Sequence, residues 1–249
     1  MTNLAKKYNS NFFAAQKEGS YRSAKEYLAY FFSFYQPNSI VDFGCGTGTW
    51  LTAAHELGVK DLVGIDGGWI QDKKINEENI CYKMINLEKP IKLDRKFDLA
   101  ISLEVAEHLS EIRAKSFVSD ICSAADLVIF GAAIKCQDGV NHINEQWQSY
   151  WVNIFREQNY ECIDFFRGKF WNDKNVNKDY VQNTFLYMKR GDERSQLLST
   201  QEIHPIYDVC HPIFFERRSK YCSLRTYIRT TPEIPGLIVK AVLRRLINR

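Results

Sequence analysis

The sequence predicts a doubly wound α/β domain, Rossmann-like in plan: a mostly parallel seven-stranded sheet with helices on both faces, then a basic extension. Three observations carry that prediction. Short apolar runs of strand length alternate with segments of helical period between residues 22 and 189. A glycine turn, Gly44-Cys45-Gly46-Thr47-Gly48, separates the first such run from the helix after it. Beyond residue 190 the alternation stops and the chain turns basic. The organisation read from this is an N-terminal cap region (1–38), a ligand-binding core (39–190) and a C-terminal extension (191–249).

Residues 1–20 are polar and poorly periodic apart from Phe12-Phe13. From Arg22 to Tyr35, Ala24, Tyr27, Leu28, Phe31 and Phe32 recur at helical spacing, and Pro37-Asn38 stops the run. Tyr21, at the start of this helix with Ser20 and Ser23, could reach a bound ligand; a packing helix with a serine cap is the plainer alternative. Ile40, Val41 and Phe43 suit a buried parallel strand that breaks at once into the glycine turn. Glycine there permits positive φ and lets a ligand approach the backbone. Trp50 to Leu57 reads as a helix whose free first-turn N–H groups face the same gap. Leu62 to Asp66 is a second strand, and Asp66 stands where open α/β sheets place an acid on ribose hydroxyls. A loop (71–79), a third strand (80–85), a fourth (97–104), a helix (110–124) and a fifth strand (127–132) follow. Residues 146–158 read as a helix, 160–165 and 184–189 as the last strands, and one edge strand is expected to be antiparallel.

The turn has the form GxGxG and is preceded by Asp42. With Asp66 and the motifs below, it resembles the first motif of the class I S-adenosylmethionine (SAM) methyltransferases. The resemblance implies SAM lying against Asp42, Gly44, Cys45, Gly46 and Gly48, its ribose on Asp66, with Asn86 and the backbone at Leu103 completing the site. Asn86 stands where these enzymes often carry an aspartate for the adenine amino group, so an acceptor oxygen is kept and the charge is lost.

The fourth strand runs into Ser102-Leu103-Glu104-Val105-Ala106-Glu107-His108-Leu109. Glu104, Glu107 and His108 stand at i, i+3 and i+4, so one helical turn would bring all three to one face. Two carboxylates and an imidazole can ligate a divalent metal such as Mg, Mn or Zn. The SLEVxEHL form is similar to the methyltransferase motif whose strand end faces the methyl-transfer site. ExxEH motifs with a later histidine hold a metal in ubiquinone-pathway and small-RNA 3′-end methyltransferases, and His142 is that later histidine here. Such a metal lowers the pKa of the acceptor hydroxyl, which is a poor nucleophile when neutral. In the alternative without metal, Glu104 orders the substrate side and His108 acts as general base. Glu107, His108 and His142 are the candidate catalytic residues.

The segment from Gly139 to Trp151 is dense in polar and aromatic residues, which suits substrate recognition on a loop. Asn144 and Glu145 offer donors and acceptors, and Trp147 offers a flat face for a sugar ring or base. Trp147, Tyr150 and Trp151 also fit the inward stripe of a helix, with Trp151 as core. The string His142-Ile143-Asn144-Glu145-Gln146-Trp147 followed by Ser149-Tyr150-Trp151 resembles the HxNEQWPSYW segment of bacterial methyltransferases of surface-glycan or natural-product clusters, with Gln148 where proline is usual. That resemblance spans roughly residues 20–190 and implies O-methylation, a sugar of a surface glycan or its precursor being the favoured acceptor.

Seven cysteines without a CxxC pair fit reduced thiols and a cytoplasmic setting. No apolar run approaches a bilayer span, and no signal-peptide pattern opens the chain. From Arg217 onward nine Lys/Arg meet one acid, a local charge of +8, which against the net +3 leaves −5 on the first 216 residues. An acidic domain has no broad nucleic-acid footprint, which weighs against the RNA 2′-O-methyltransferase that the ExxEH-plus-histidine pattern suggests. Residues 234–249 read as a short amphipathic basic helix suited to an anionic membrane at the inner face, to a partner, or to the chain's own domain. A non-catalytic subunit acting through this tail is the remaining alternative.

Overall fold

The computed structural model describes residues 10–67, 80–137, 139–194 and 207–219. In chain order the elements are α1 (Ser10–Phe32), β1 (Ser39–Phe43), α2 (Thr49–Glu56), β2 (Asp61–Asp66), β3 (Ile80–Met84), β4 (Leu99–Leu103), α3 (Ala114–Ala124), β5 (Leu127–Gly131), α4 (Gln148–Glu157), β6 (Tyr160–Ile163), α5 (Arg167–Phe170), α6 (Lys178–Asn183), β7 (Phe185–Lys189) and α7 (Pro212–Ser219). The first helix begins well before Arg22. Ala14, Ala15, Gln16, Lys17 and Glu18 are good helix formers, so propensity rather than an apolar stripe carries that stretch.

The seven strands form one sheet in the order β3-β2-β1-β4-β5-β7-β6. The first five pair in parallel, while β7 is antiparallel to both β5 and β6. The antiparallel strand is therefore not the edge strand expected from the sequence. The α4 crossover carries β6 one position past β5, and the returning β7 fills the gap. Strands β1, β4 and β5 are buried along their whole length, which is why they read as continuous apolar runs.

Helices cover both faces. On one, Phe117, Val118 and Ile121 of α3 and Trp151, Val152 and Phe155 of α4 pack on Val41, Phe43 and Phe130. On the other, Ala24, Tyr27, Leu28 and Phe31 of α1 and Leu51 and Ala54 of α2 pack on Ile40, Leu62 and Ile101. Each such large side chain contributes about 1.5–3 kcal/mol through burial. The ring of Tyr27 stacks on both Phe166 and Phe170, at 4.7 and 4.6 Å between centroids, which ties α1 to the segment after β6. α4 starts at Gln148, with Trp147 extended in the cap position. Trp147 thus falls off the inward stripe while Trp151 is core.

Where the sequence leaves the fold at residue 191, the structure continues it. Arg194 donates to Tyr35 Oη and the Asp98 carbonyl, Arg156 donates to Tyr207 Oη, and Ser149 N and Oγ donate to Asp208. One compact unit therefore runs to Val209 and a second begins at Cys210, with α7 as its described element. The loop at 71–79 and the basic stretch 234–249 lie outside the described residues. Among the described residues no helix is long and apolar enough to cross a membrane, and the cysteines are free thiols.

Candidate active site

The strand order reverses between β1 and β4, and in open α/β sheets ligands bind at the carboxyl ends of the strands at that point. The glycine turn leaves β1 there. Gly44 N and Cys45 N donate to the Ile65 carbonyl at 2.7 and 3.1 Å, which pins the turn to the end of β2. Gly44, Gly46 and Gly48 have φ of +87°, +56° and +77°. A side chain on Gly44 would collide with Val105, and one on Gly48 with the Tyr82 hydroxyl. Asp66 accepts from Gly46 N on Oδ2 (2.7 Å) and from Gly67 N on Oδ1 (2.6 Å), which fixes its carboxylate at the glycine turn, where open α/β sheets place the acid that meets ribose hydroxyls. The turn's backbone and Asp66 thus fit the nucleoside end of SAM.

The other residues expected around the cofactor fall close by. Asp42 is buried at the end of β1, where burial and then the Asp66 charge push its carboxyl well above the usual range. Cys45 Sγ packs over Gly64, and burial raises the thiol's pKa. Leu103, nearly buried, ends β4 beside Ser102, whose Oγ donates to the Phe43 carbonyl. Asn86 is exposed and its Oδ1 accepts from Glu88 N, so the oxygen expected on an adenine closes a local turn. Tyr21, on α1, donates its hydroxyl to Glu56 of α2 beside Lys25.

At the acceptor end, β4 stops at Leu103 and Glu104 adopts a left-handed backbone, φ +57°, before a 3₁₀ turn from Ala106 to His108. No α-helical turn therefore puts Glu104, Glu107 and His108 on one face. Glu104 leaves the expected ligand set, its Oε1 and Oε2 accepting from Asn183 Nδ2 (2.9 Å) and Gln137 Nε2 (3.2 Å). The close-set donors are Glu107, His108 and His142, whose ligand atoms lie within 4.8 Å of one another. Ile143 N and Asn144 N both donate to the Glu107 carbonyl, at 2.9 and 3.0 Å, and this brings His142 in from a distant loop. The rings of His108 and His142 meet edge to face with centroids 4.8 Å apart.

Each imidazole is held through Nδ1, His108 on the Asn141 carbonyl (3.3 Å) and His142 on Glu145 Oε1 (2.9 Å). With Nδ1 the donor, Nε2 carries the lone pair in both rings, the arrangement that supports metal-bound histidines, and the His142 ring edge lies against Gly139, where any side chain would meet it. Burial and then His142 lower the pKa of His108, which favours its neutral form. Glu145 accepts from Cys136 N on its other oxygen (2.8 Å). Expected on the substrate, it instead orients His142. Asn144, also expected there, is buried, with Oδ1 accepting from Gln146 Nε2.

Glu107 is 0% exposed, and its carboxylate oxygens meet no side-chain donor; the backbone N–H groups of Glu107 and Ala133 lie near but too poorly aligned for full hydrogen bonds. Burial pushes its pKa up to about 8, with the N–H groups of Glu107 and Ala133 pulling part of the way back and the charges of Asp179 and Glu145 pushing further. A buried, unpartnered carboxylate demands a proton or a cation. One carboxylate and two imidazole nitrogens fit Mn or Zn better than the oxygen-preferring Mg. Gln137, Asp179, Gln182 and Asn183 gather around Glu104, and Gln182 and Asn183, just before β7, are buried. On the loop outside the cluster, Val140, Ile143 and Trp147 are 56%, 66% and 38% exposed.

No functionally curated protein matches this sequence. Among solved structures, the magnesium protoporphyrin IX methyltransferase ChlM from Synechocystis PCC 6803, with bound SAH, is 17% identical at a TM-score of 0.51, covering 71% of this chain and 87% of that one. CalS10, an amino pentose methyltransferase from Micromonospora echinaspora, is 10% identical at a TM-score of 0.54, covering 73% of this chain and 98% of that one. The methyltransferase domain of bacterial CtHen1-C is 15% identical at a TM-score of 0.50, covering 68% and 97%. These likenesses establish the fold. The family model described as a methyltransferase domain matches residues 13–173, so the chain belongs to that family and is a SAM-dependent methyltransferase.

Proposed function

We propose that this methyltransferase O-methylates a hydroxyl of a sugar in a surface glycan or its precursor, with Glu107, His108 and His142 at the acceptor. The observation that carries the reading is the fully buried Glu107 carboxylate, without a side-chain donor, whose ligand atoms lie within 4.8 Å of those of His108 and His142. SAM supplies an already activated methyl group, and a divalent metal on the cluster would lower the pKa of the acceptor hydroxyl. Gly44 to Gly48 and Asp66 seat and orient the cofactor, so that in-line attack needs mainly positioning. Without the metal, His108 Nε2, whose pKa burial and His142 hold below the ordinary imidazole value, would instead take the hydroxyl proton. Glu145 and the Asn141 carbonyl fix the two rings. The exposed Trp147 offers a stacking face beside the cluster, and the HxNEQW resemblance supports a sugar acceptor. The basic segment 234–249 would hold the enzyme at the inner face of an anionic membrane, near a lipid-linked precursor.

The test is methyl-labelled SAM with the purified protein and a cell extract split into nucleotide-sugar, lipid-linked, polymer and RNA pools, with and without chelator. Label is expected in a sugar-containing pool, lost on chelation and restored by Mn(II). Label in RNA alone sinks the reading. Label that survives chelation replaces the metal with His108 as sole base.

A further inference from the structure

Around Glu104 the fold assembles a second polar set from three elements: the end of β4, the loop after β5, and α6. Asn183 Nδ2 donates to Glu104 Oε1 (2.9 Å) and to Gln137 Oε1 (3.0 Å). Gln137 Nε2 donates to Glu104 Oε2 (3.2 Å) and to Asp179 Oδ1 (3.0 Å). Gln182 Nε2 donates to Gln137 Oε1 (3.1 Å) and to Asn183 Oδ1 (3.0 Å), and Ile134 N also reaches Gln137 Oε1 (3.2 Å). A primary amide has two N–H donors, so the three amides spend every donor inside the network. What remains is acceptor capacity on Glu104, since a carboxyl has about four lone-pair sites and two are filled. Burial and then the charges of Glu107 and Asp179 push this carboxyl well above the usual range, so a ligand that donates a hydrogen bond to it supplies what its surroundings lack.

Two further observations place a ligand there. Glu104 stays partly exposed while Gln182 and Asn183 behind it are buried. Glu107, the fully buried carboxylate without a side-chain donor, lies within electrostatic reach of Glu104. Glu104 nevertheless stands outside the close-set ligand atoms of Glu107, His108 and His142.

Resting on the acceptor site described above, we infer that Glu104 is an acceptor-binding carboxylate rather than a metal ligand. It takes a hydrogen bond from a second donor group, a hydroxyl or amine next to the methylated position. The site thereby selects neutral, donor-rich acceptors over anionic ones. A phosphate entering the same space finds amides with no donor left and adds negative charge beside Glu104, Glu107 and Asp179, a group of acids whose mutual repulsion already disfavours further charge. The amides hold the carboxylate in place before the acceptor arrives, which removes an ordering cost from binding.

The test uses the full chain with S-adenosylhomocysteine and Mn(II). The probes are methyl glycosides of common hexoses, their singly deoxygenated analogues and their monophosphate esters. Removing the hydroxyl neighbouring the methylated position is expected to weaken binding about tenfold or more, the loss of one hydrogen bond to a charged group. The phosphate ester is expected to bind more weakly still. Glu104→Gln should bring the parent glycoside to the affinity of the deoxy analogue and shrink the penalty on the phosphate ester, with Mn(II) and S-adenosylhomocysteine binding unchanged. Asn183→Ala keeps the carboxylate but loosens it, so KM should rise with kcat little altered. Loss of Mn(II) in Glu104→Gln as complete as in His142→Ala would make Glu104 a ligand and overturn the inference. So would phosphate esters or single-stranded RNA binding as tightly as neutral glycosides, or no neutral glycoside binding at all. Methylation at an amine of a neutral sugar would instead overturn O-methylation and leave the role of Glu104 standing.

Discussion

Glu107 holds its proton in the folded state up to about pH 8, whereas the unfolded chain releases it near 4.5. The folded form thus binds more protons across that window, and linkage makes the metal-free protein lose stability as pH rises through it. Thermal unfolding in chelator should show that decline in the wild type and a flatter profile in Glu107→Gln, which lacks the titrating group. A carboxylate that must ionise to bind a cation also couples metal uptake to proton release. Mn(II) affinity should therefore rise with pH up to about 8. Titration in weak buffer should acidify the wild type more than Glu107→Gln. Glu145 acts on the same centre at one remove, through His142 Nδ1. Glu145→Gln should lower metal affinity about 10–100-fold, the usual cost of losing an orienting partner, while SAM binding, measured calorimetrically, stays unchanged.

At the scale of elements, the glycine turn and the 3₁₀ turn after β4 are the two loops that neighbouring parallel strands bring together. Gly48→Ala places a side chain on a residue at φ +77° and against the Tyr82 hydroxyl. It should cost about 1–3 kcal/mol in urea unfolding, as a strained backbone position does, and weaken SAM binding. The connection leading to β4 depends on a single buried cation. Arg113 is 4% exposed and donates to the Leu87 and Lys89 carbonyls while pairing with Asp120, whose carboxylate also accepts from Ile91 N. Arg113→Ala should destabilise by about 3 kcal/mol or more, since it strands a poorly hydrated acid and two carbonyls. Catalysis should suffer only as far as folding does.

For the whole molecule, the position of the first unit's boundary decides which truncations survive. Tyr207, Asp208 and the Val209 carbonyl bond to Arg156, Ser149 and Gln148 on α4, and Arg194 bonds back to Tyr35 and Asp98. A chain ending at Val209 should keep a cooperative unfolding transition and SAM binding. A chain ending at Arg190 should unfold at lower temperature because those bonds are gone. Both are read by circular dichroism melting with and without SAM.

Much of this was legible in the amino-acid order because its causes are local. Continuous apolar runs announce the strands buried on both faces, a glycine turn after the first announces the ligand end, and an acid at the end of the second strand marks the partner of that turn. The spacing of Glu104, Glu107 and His108 was visible too, yet it was read through an α-helical period. The chain after β4 adopts a left-handed residue and a 3₁₀ turn instead, so Glu104 turns to the amides of Gln137 and Asn183. The ExxEH resemblance named His142 beside Glu107 and His108, but only the tertiary structure shows what brings it there, two backbone bonds from residues 143 and 144 to the Glu107 carbonyl. Only it could move Glu145 from substrate to support, or bury Gln182 and Asn183 in a network joined across distant segments. Local sequence carries period and turn chemistry, but which side chains share a site is set by contacts between residues far apart in the chain, and no spacing encodes those.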